Sequence, residues 1–496
     1  MELKTIESQF EQHLSHWRED EKTALELQKA VGELRFDRSV EIILFRRNIY
    51  DSRPTEVLND HLFAKNYVNK PITVQMSLAI VQAIAKLDLA PARIDIGTLA
   101  TKWLSLEGEE FSNIDAFVAS ELSGFIGEEA KAKRQVTPKD VVIYGFGRIG
   151  RLAVRILTEQ MGRGEQLRLR AIVLRPRSKG DDKSEELIKR ASLLRKDSVH
   201  GKLRGTVEII EETEEFIINS CKVKIIYASQ PEDIDYTEYG IHNALVIDCT
   251  GAWKDREGLS RHLRPGIDRV LFTAPGKGIK NIVHGINHSA LDLNSEEDRV
   301  FCAASCTTNA IAPVLKVLND ALGIENGHME TIHAYTSSQN LLDNYHKKER
   351  RGRGAATNMV ITSSGASSAL KEVLPELGGK ITGSSIRVPI PDGSLAIMTL
   401  RLSRETTLEE VNGIMRKAAL FGNLVDQIQY STSKEFVSSD VVGAVACSVY
   451  DAPAAKISED GKTITIYVWY DNEFGYTRQV IRLAKHASKV RRYMYY

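Results

Sequence analysis

Residues 141–150 read VVIYGFGRIG and contain the pattern G-x-G-x-x-G at Gly145, Gly147 and Gly150. The pattern follows a short apolar run typical of a buried strand and opens "RIGRLAVRILTEQ", whose apolar spacing is typical of a helix. In this context the glycines allow a tight turn, a close approach of the backbone to a pyrophosphate, and close contact between helix and strand. The helix N-terminus adds free N–H groups and a positive dipole end. The stretch therefore predicts a dinucleotide site, and the alternative is a glycine-rich turn without a ligand.

The segments that follow alternate between strand and helix patterns. After the first helix, "LRLRAIVL" is typical of a second buried strand, and this order predicts a parallel sheet with right-handed crossovers. We expect a Rossmann-type domain over residues 138–305, completed by a C-terminal helix after residue 472. Long strand patterns such as "SLAIMTLRLSR" and "TITIYVWYD" predict an α+β catalytic domain over residues 306–496. The predicted fold class is α/β.

The first 137 residues have a different character. Only 5 of the 34 glycines fall there, so turn residues are scarce. The segment "TIESQFEQHLSHWREDEKTALELQKAVGEL" places apolar residues at three- and four-residue steps, and "ITVQMSLAIVQAIAKLDL" is apolar nearly all round. Residues 1–137 are therefore predicted to form an all-α N-terminal domain.

Composition excludes several classes of protein. Lys+Arg and Asp+Glu are equal at 66 each, so no net charge attracts nucleic acid or a membrane surface, and no apolar run is long enough to span a bilayer. The first 30 residues carry too many charges for a signal peptide. The 5 cysteines form no C-x-x-C pair, and their odd number argues against a disulfide framework. We expect a cytoplasmic protein without a metal site, a nucleic-acid partner or a membrane partner.

The end of the second predicted strand bears on the choice of dinucleotide. An NAD site usually offers an Asp or Glu there to the ribose hydroxyls, but the chain reads Leu174-Arg175-Pro176-Arg177. Arginine favours a 2′-phosphate, so we expect NADP to be accepted as well as NAD. The alternative is that Arg175 is only a solvated charge.

A second short stretch, Ala303-Ala304-Ser305-Cys306-Thr307-Thr308-Asn309-Ala310, places a thiol at the opening of a helix. A helix N-terminus lowers the pKa of a thiol from about 8.5 towards neutrality. His333, in "METIHAYTSSQ", is a candidate base. Each residue alone is more often structural, but together with a dinucleotide fold they offer a nucleophile, a base and a hydride acceptor.

From about Val141 onward, the chain resembles phosphorylating glyceraldehyde-3-phosphate dehydrogenase. The resemblance is carried by motifs that occur in order over this part of the chain: "GFGRIGRL", "KDSVHG", "DCTGAW", "FTAPGKG", "ASCTTN", "HAYT", "GRGAATN", "SSGASSALKEVLPEL", "GKITGSSIRVPIPD" and "WYDNEFGY". The N-terminal quarter lies outside the resemblance.

The resemblance implies a homotetramer in which Cys306 is the nucleophile and His333 the base. The cofactor-binding residues that it implies are Gly145, Gly147, Arg148, Ile149, Gly150, Thr250, Gly251, Asn472 and Tyr476. One anion would be held by Thr336, Ser338 and Arg387, and the other by Ser305, Thr307, Ser364, Gly365 and Arg353. The basic run "KKERRGRG" leaves Arg351 as an alternative to Arg353.

The implied reaction, in glycolysis or gluconeogenesis, oxidises glyceraldehyde 3-phosphate to 1,3-bisphosphoglycerate. It passes through a Cys306 thioester, with inorganic phosphate as second substrate and hydride transferred to NAD or NADP. Two alternatives remain open. One is an erythrose-4-phosphate dehydrogenase, which hydrolyses the thioester. The other is a regulatory or scaffold protein that acts through its N-terminal domain.

Overall fold

The computed structural model describes residues 2–64, 71–106, 111–133, 136–176, 183–363 and 365–496. The chain forms two compact units. One contains the residues up to Thr137 together with Gly162–Glu165 and Arg491–Tyr496, and the other contains Pro138–Met161 and Gln166–Val490.

The first unit is mainly helical. Its helices are α1 (Glu2–Arg38), α2 (Pro54–Phe63), α3 (Val74–Ala85), α4 (Ile96–Ser105), α5 (Ile114–Glu121) and α6 (Gly127–Lys133). The second half of α1 buries Ala24, Leu27, Val31 and Leu34, which are three and four residues apart and so share one face. Side chains cap the N-termini of three helices, because Thr73, Asp95 and Asn113 accept backbone N–H groups at the starts of α3, α4 and α5.

This unit also contains a small sheet, which corrects the prediction of an all-α domain. Its strands are β1 (Val40–Leu44), β2 (Arg47–Asn48) and β3 (Ala92–Asp95), and the C-terminal segment Tyr493–Tyr495 pairs in parallel with β3. β1 is an apolar run too short for its periodicity to distinguish a strand from a buried helix. β3 lies between β1 and the segment Tyr493–Tyr495, which is about 400 residues away in sequence, so no local pattern indicates this second partner.

One buried carboxylate holds the turn of this sheet together. Asp95 accepts hydrogen bonds from the backbone N–H groups of Phe45 at 2.8 Å, Arg46 at 3.0 Å and Gly97 at 2.9 Å. Phe45 and Arg46 form the tight turn between β1 and β2, with φ of 44° and 67°. Because this left-handed conformation is costly for residues with a Cβ, the hydrogen bonds donated to Asp95 help to hold the turn.

The second unit begins with a largely parallel sheet, as the sequence predicted. Its strands run in the order β13-β12-β11-β4-β5-β10-β9-β8, parallel from β13 to β10, and the antiparallel strands β9 and β8 extend one edge. The strands of this part of the chain are β4 (Lys139–Tyr144), β5 (Leu167–Leu174), β6 (Lys196–Asp197), β7 (Gly201–Lys202), β8 (Val207–Ile210), β9 (Glu215–Ile218), β10 (Cys221–Tyr227), β11 (Ala244–Asp248), β12 (Ile267–Phe272) and β13 (Val300–Cys302). The helices are α7 (Arg148–Glu159), α8 (Lys183–Arg195) and α9 (Arg256–Ser260).

A mixed sheet follows, with the order β15-β16-β14-β17-β21-β19-β18, and β20 pairs with β21. Its strands are β14 (Ile324–Ala334), β15 (Val360–Ser363), β16 (Ile381–Val388), β17 (Ser394–Leu402), β18 (Ile428–Ser431), β19 (Ser448–Asp451), β20 (Lys456–Ile457) and β21 (Thr463–Tyr470). The helices are α10 (Cys306–Leu322), α11 (Ala366–Val373), α12 (Leu408–Leu420) and α13 (Phe474–Ala487), and the C-terminal strand is β22 (Tyr493–Tyr495).

The predicted α/β class, with a Rossmann-type sheet and a mixed second sheet, is confirmed. The domain limits at residues 137 and 305 stay predictions. α13 packs against α7, so a C-terminal helix does return to the first sheet. Within the described ranges, no helix is both long and apolar enough to cross a bilayer.

Candidate active site

The glycine-rich turn has the geometry that its sequence predicts. Gly145 has a φ of 93°, and a Cβ on it would lie 2.7 Å from Cγ2 of Thr250. A Cβ on Gly150 would lie 2.1 Å from the Gly145 carbonyl oxygen, so α7 can approach the turn only with glycine there. A Cβ on Gly147 would meet nothing within 4 Å. The backbone at Gly147 is therefore open to a ligand at the N-terminus of α7.

A cleft of about 720 Å³ lies over this turn, at the carboxyl ends of β4, β5 and β11. The residues that line it include four of the predicted cofactor residues, namely Gly145, Gly147, Arg175 and Thr250. Thr250 is fixed by Asp248, whose Oδ1 accepts from both its backbone N–H and its hydroxyl at 2.7 Å. The position at the ends of parallel strands, the open Gly147 and the size of the cleft fit a dinucleotide.

The remaining predicted cofactor residues do not line this cleft: Arg148, Ile149, Gly150, Gly251, Asn472 and Tyr476. The Arg148 side chain is committed elsewhere, because its Nε donates to Glu473 at 2.6 Å and its Nη1 donates to Asp197 at 3.1 Å. Only the backbone of Arg148 is left for a pyrophosphate. Arg175, in contrast, is exposed and has no ion-pair partner among the residues that the structure describes.

Cys306 is the first residue of α10. Ser305 caps this helix, since its Oγ accepts the Thr308 N–H at 3.0 Å. The residue before the cap, Ala304, has a φ of 52°, a left-handed conformation that costs about 1–2 kcal/mol for a residue with a Cβ. The Tyr476 hydroxyl donates to the Ala304 carbonyl at 2.9 Å and holds this segment. Tyr476 thus supports the turn that presents Cys306.

The structure brings Cys306 and His333 together. The Cys306 Sγ lies 3.5 Å from His333 Nε2, within hydrogen-bonding distance for sulfur. His333 Nδ1 lies 2.7 Å from the Ala334 carbonyl oxygen and 2.7 Å from Nη1 of Arg387. When Nδ1–H donates to that carbonyl, Nε2 is free to accept the thiol proton. The nucleophile and base predicted from the sequence are therefore adjacent.

The electrostatics of the pair correct one expectation. Burial raises the pKa of the Cys306 thiol, and the Arg387 charge with the Thr307 hydroxyl only partly opposes this. Burial, followed by the Arg387 charge, lowers the pKa of His333 to about 3. Desolvation therefore outweighs the helix N-terminus, contrary to the expectation of a lowered thiol pKa. These two directions favour a neutral thiol beside a neutral imidazole over an ion pair.

Two arginines stand next to this pair. Arg387 pairs with His333 in the parallel register of β14 and β16, which sets the two side chains next to each other. Arg351 donates to the hydroxyls of Ser338 at 3.0 Å and Thr362 at 3.3 Å. The Nε of each arginine is buried without a hydrogen-bond partner in the described part of the chain. Guanidinium groups with unused donors are suited to bind anions, and that of Arg387 is largely buried as well.

The other residues predicted to bind anions do not all lie in the same surroundings. Thr336 and Ser338 share a hydrogen bond of 2.8 Å and lie with Arg351. Arg353 instead pairs through its Nε with the exposed carboxylate of Asp343 at 2.9 Å, so the alternative, Arg351, is the better candidate for this site. Arg351 lies in the short 3-10 helix Glu349–Gly352 and Arg353 follows it in extended backbone, a difference that a run of basic residues does not reveal.

Three further residues were predicted to bind an anion. Thr307 is buried, and its hydroxyl lies 3.0 Å from the hydroxyl of Tyr470. Gly365 precedes α11, and a Cβ on it would meet nothing within 4 Å, so its backbone is accessible. Ser364 lies outside the described residues.

Asn472 is positioned by a residue that the sequence analysis missed. The Ser394 hydroxyl donates to Oδ1 of Asn472 at 2.6 Å and accepts the Ala334 N–H at 3.1 Å. The Ser394 hydroxyl thus holds Oδ1 of Asn472 beside Ala334, the residue that follows His333. The Nδ2 hydrogens of Asn472 are left for a ligand. Ser394 and Tyr470 lie at strand ends with no local signal of their own, and only the pairing of β17 with β14 and β21 reveals them.

Comparisons with known proteins give the same assignment. Residues 139–256 match the family described as the NAD binding domain of glyceraldehyde 3-phosphate dehydrogenase, and residues 305–472 match its C-terminal domain. A glyceraldehyde-3-phosphate dehydrogenase from Clostridium pasteurianum is 40% identical over 357 residues, which are 71% of this chain and 98% of that protein. The corresponding enzyme from Zymomonas mobilis is 36% identical over 70% of this chain and 98% of its own length.

A relative from Pseudomonas aeruginosa, described as a glyceraldehyde-3-phosphate dehydrogenase-like protein, extends the match. It is 47% identical over 93% of this chain and 98% of its own length. A match of that extent must include much of residues 1–137, so the N-terminal unit is not peculiar to this chain. These comparisons define an oxidoreductase with an NAD-binding domain. The chain belongs to the glyceraldehyde-3-phosphate dehydrogenase family.

Proposed function

We propose that the chain catalyses the phosphorylating oxidation of glyceraldehyde 3-phosphate to 1,3-bisphosphoglycerate at Cys306, with hydride transfer to NAD or NADP. One observation carries this proposal: Arg387 lies beside His333, Arg351 is bonded to Ser338, and the Nε of each is buried without a hydrogen-bond partner among the described residues. A site for a phosphorylated aldehyde and a separate inorganic phosphate needs two such groups, whereas hydrolysis of the thioester needs only one.

The Cys306 thiol and the His333 imidazole begin the reaction in their neutral forms. As Cys306 Sγ attacks the aldehyde carbon, His333 Nε2 accepts the thiol proton, and the carbonyl oxygen becomes an alkoxide. The imidazolium formed on His333 and the Cys306 backbone N–H stabilise that alkoxide. The nicotinamide, when bound, supplies the hydride acceptor, and loss of hydride leaves a Cys306 thioester. Attack by phosphate then releases the sulfur, which recovers its proton from His333.

Residues along the cleft and at the Cys306 centre suit a dinucleotide. The turn at Gly145 and Gly147 would accept the pyrophosphate, and the Nδ2 group of Asn472 would donate to the carboxamide. Arg175 lines the cleft and carries a free positive charge where a carboxylate would repel a 2′-phosphate. This supports the use of NADP alongside NAD.

Two anion sites follow from the hydroxyl groups around the arginines. Thr336, Ser338 and Arg387 would hold one phosphate group. Ser305, Thr307, Ser364, Gly365 and Arg351 would serve the other, with Arg351 in place of Arg353. We further propose a cytoplasmic homotetramer that acts in glucose metabolism, and we retain residues 1–137, 138–305 and 306–496 as its domains.

The test is a substrate comparison with the purified chain. Turnover is measured with glyceraldehyde 3-phosphate and with erythrose 4-phosphate, each with and without inorganic phosphate and with either dinucleotide. We expect oxidation of glyceraldehyde 3-phosphate that requires phosphate and yields an acyl phosphate. Phosphate-independent turnover that prefers erythrose 4-phosphate would establish the hydrolytic alternative. Binding of dinucleotide without turnover of either aldehyde would establish the scaffold alternative.

A further inference from the structure

A buried cluster of acidic groups lies next to Asn472 in the sequence and contains a residue that the mechanism does not use. Asp392, Asp471 and Glu473 gather around His200, whose Nε2 lies 3.4 Å from Asp392 Oδ2 and 3.2 Å from Glu473 Oε2. The side chain of Asp392 is completely buried, and no N–H or O–H group of the described residues donates a hydrogen bond to its Oδ2. An ionised carboxylate in that position would be very costly.

The two acidic neighbours of Asp392 are already supplied with donors. Glu473 accepts from Arg148 and His200, and these hydrogen bonds hold the pKa of Glu473 below its usual range although burial alone would raise it. Asp471 accepts three backbone N–H groups, from Gly443 at 2.7 Å, Glu473 at 2.9 Å and Phe474 at 2.6 Å. The carboxyl groups of these two residues therefore act as acceptors.

Asp392 has the opposite surroundings. After burial, the carboxyl group of Asp471 is the strongest influence on Asp392, and two neighbouring carboxyl groups can share a hydrogen bond only when one of them carries a proton. Burial, reinforced by the negative charges of Asp471 and Glu473, raises the pKa of Asp392 to about 9. The other charged groups of the cluster are Arg148 on α7, which also binds Asp197, and Arg151, which lies 3.5 Å from Asp197.

The position of Asp392 in the chain gives this proton a role. Asp392 lies two residues before Ser394, which donates to Asn472 Oδ1, and Asp471 immediately precedes Asn472. Between them, Gly393 has a φ of 88° and a Cβ on it would lie 2.3 Å from the Ser438 carbonyl, so this connection has little freedom to shift. A hydrogen bond donated by a protonated Asp392 to Asp471 would therefore join the two segments that carry Ser394 and Asn472.

We propose that Asp392 is a positioning residue that works as a protonated carboxylic acid, donating to Asp471 and thereby holding Asn472 in place for the nicotinamide end of the cofactor. The role of Asn472 rests on the proposed function. The presence of the proton on Asp392 does not, and the two are tested separately.

The first experiment tests the proton without any cofactor. Thermal unfolding of the wild type and of Asp392→Asn is followed from pH 5 to pH 9. Because the folded protein binds a proton that the unfolded chain releases near pH 4, this contribution to stability is full at low pH and is lost as pH rises towards 9. The folding equilibrium constant of the wild type, relative to Asp392→Asn, should fall by up to about tenfold per pH unit. Asp460→Asn, at an exposed ion pair with Arg401, is the control and should not show this trend.

Equal pH dependence of the wild type and Asp392→Asn would overturn the proposal. It would also be overturned if Zn²⁺ or Mn²⁺ raised the unfolding temperature of the wild type but not of Asp392→Asn. The negative charge of the cluster would then be balanced by a metal ion held by His200, Asp392 and Glu473.

The second experiment tests the positioning role with two ligands that differ only in the nicotinamide. Affinities for NAD and for ADP-ribose are measured in the wild type, Asp392→Asn and Asp392→Ala. Asp392→Ala should weaken NAD by about tenfold and leave ADP-ribose unchanged, and Asp392→Asn should restore NAD because an amide can also donate. In the wild type, NAD affinity should fall above pH 9, and in Asp392→Asn it should not. Equal losses for both ligands, or no loss for either, would contradict the positioning role. Should Asp392→Ala fail to fold, the pH series of the other two proteins decides.

Discussion

The Cys306 centre and the strand end at Arg175 lie at two places in the second unit and differ in how they are held. At the centre, polar side chains are tied to other groups: His333 to Cys306, Arg387 to the Ala334 carbonyl, and Ser394 to Asn472. Arg175 is exposed and stands alone at the edge of the cleft. The side chains at the Cys306 centre are positioned by sheet register and burial. The choice of dinucleotide, in contrast, is proposed to depend on the exposed charge of Arg175. Substitutions should therefore have large effects at the centre and small, graded effects at the strand end.

The largest effect is expected from Cys306→Ser. A hydroxyl beside a neutral imidazole is a much poorer nucleophile than the thiol, so turnover should be abolished while dinucleotide binding is retained. Steady-state turnover and dinucleotide titration measure the two properties. The matched control is Cys302→Ser, because burial raises the pKa of Cys302 to about 11 and this thiol should not react. Near-normal turnover of Cys306→Ser would remove the basis of the proposed function.

His333→Asn should lower kcat by about 10²–10⁴-fold, the usual loss when a general base is removed. The control is His328→Asn on the same strand, whose imidazole is half-exposed and bonded to Thr382. It should stay near the wild-type rate. A comparable loss in both variants would show that β14 is disturbed rather than that a base is missing.

Substitutions of two arginines that are two residues apart should affect kcat/KM differently. Arg351→Ala should lower kcat/KM for the phosphorylated aldehyde or for phosphate by about 30-fold or more, because it removes a desolvated charge from its hydrogen-bonding partners. Arg353→Ala removes only an exposed ion pair with Asp343 and should change kcat/KM less than about threefold. Kinetics at varied phosphate concentration distinguish them. The reverse order would restore Arg353 to the anion site.

The smallest effect is expected at the strand end. Arg175→Asp should shift the ratio of kcat/KM for NADP to that for NAD by about 10-fold in favour of NAD, because a carboxylate repels the 2′-phosphate. Arg168→Asp, on the same strand but outside the cleft, is the control and should leave the ratio unchanged. A wild type that rejects NADP at millimolar concentration would show that Arg175 is only a surface charge.

The sequence predicts those parts of the molecule that local patterns determine. The glycines of the turn, the thiol at a helix start and the alternation of strands and helices each have a signal within about ten residues, and the structure has all three. Arg351 could not be separated from Arg353 because both occur in one basic run. The direction of the Cys306 pKa could not be predicted either, because it depends on how much of the surrounding protein excludes water.

Contacts between segments that are distant in sequence could not be predicted either. Ser394 gains its role only when β17 lies between β14 and β21, and Asp392 only when the segment after β21 returns beside it. The small sheet of the first unit could not be predicted for the same reason. One of the two strands that pair with β3, Tyr493–Tyr495, comes from the far end of the chain.

That last pairing has a consequence for the order of events during synthesis. Tyr493 and Tyr495 pair with Ala92 and Ile94, and the ring of Tyr493 stacks on Phe125 at 5.0 Å. A ribosome makes residues 1–137 first, yet their sheet cannot be completed until residues 493–495 have left the tunnel. One edge of β3 is therefore left without its strand partner while residues 138–492 are translated.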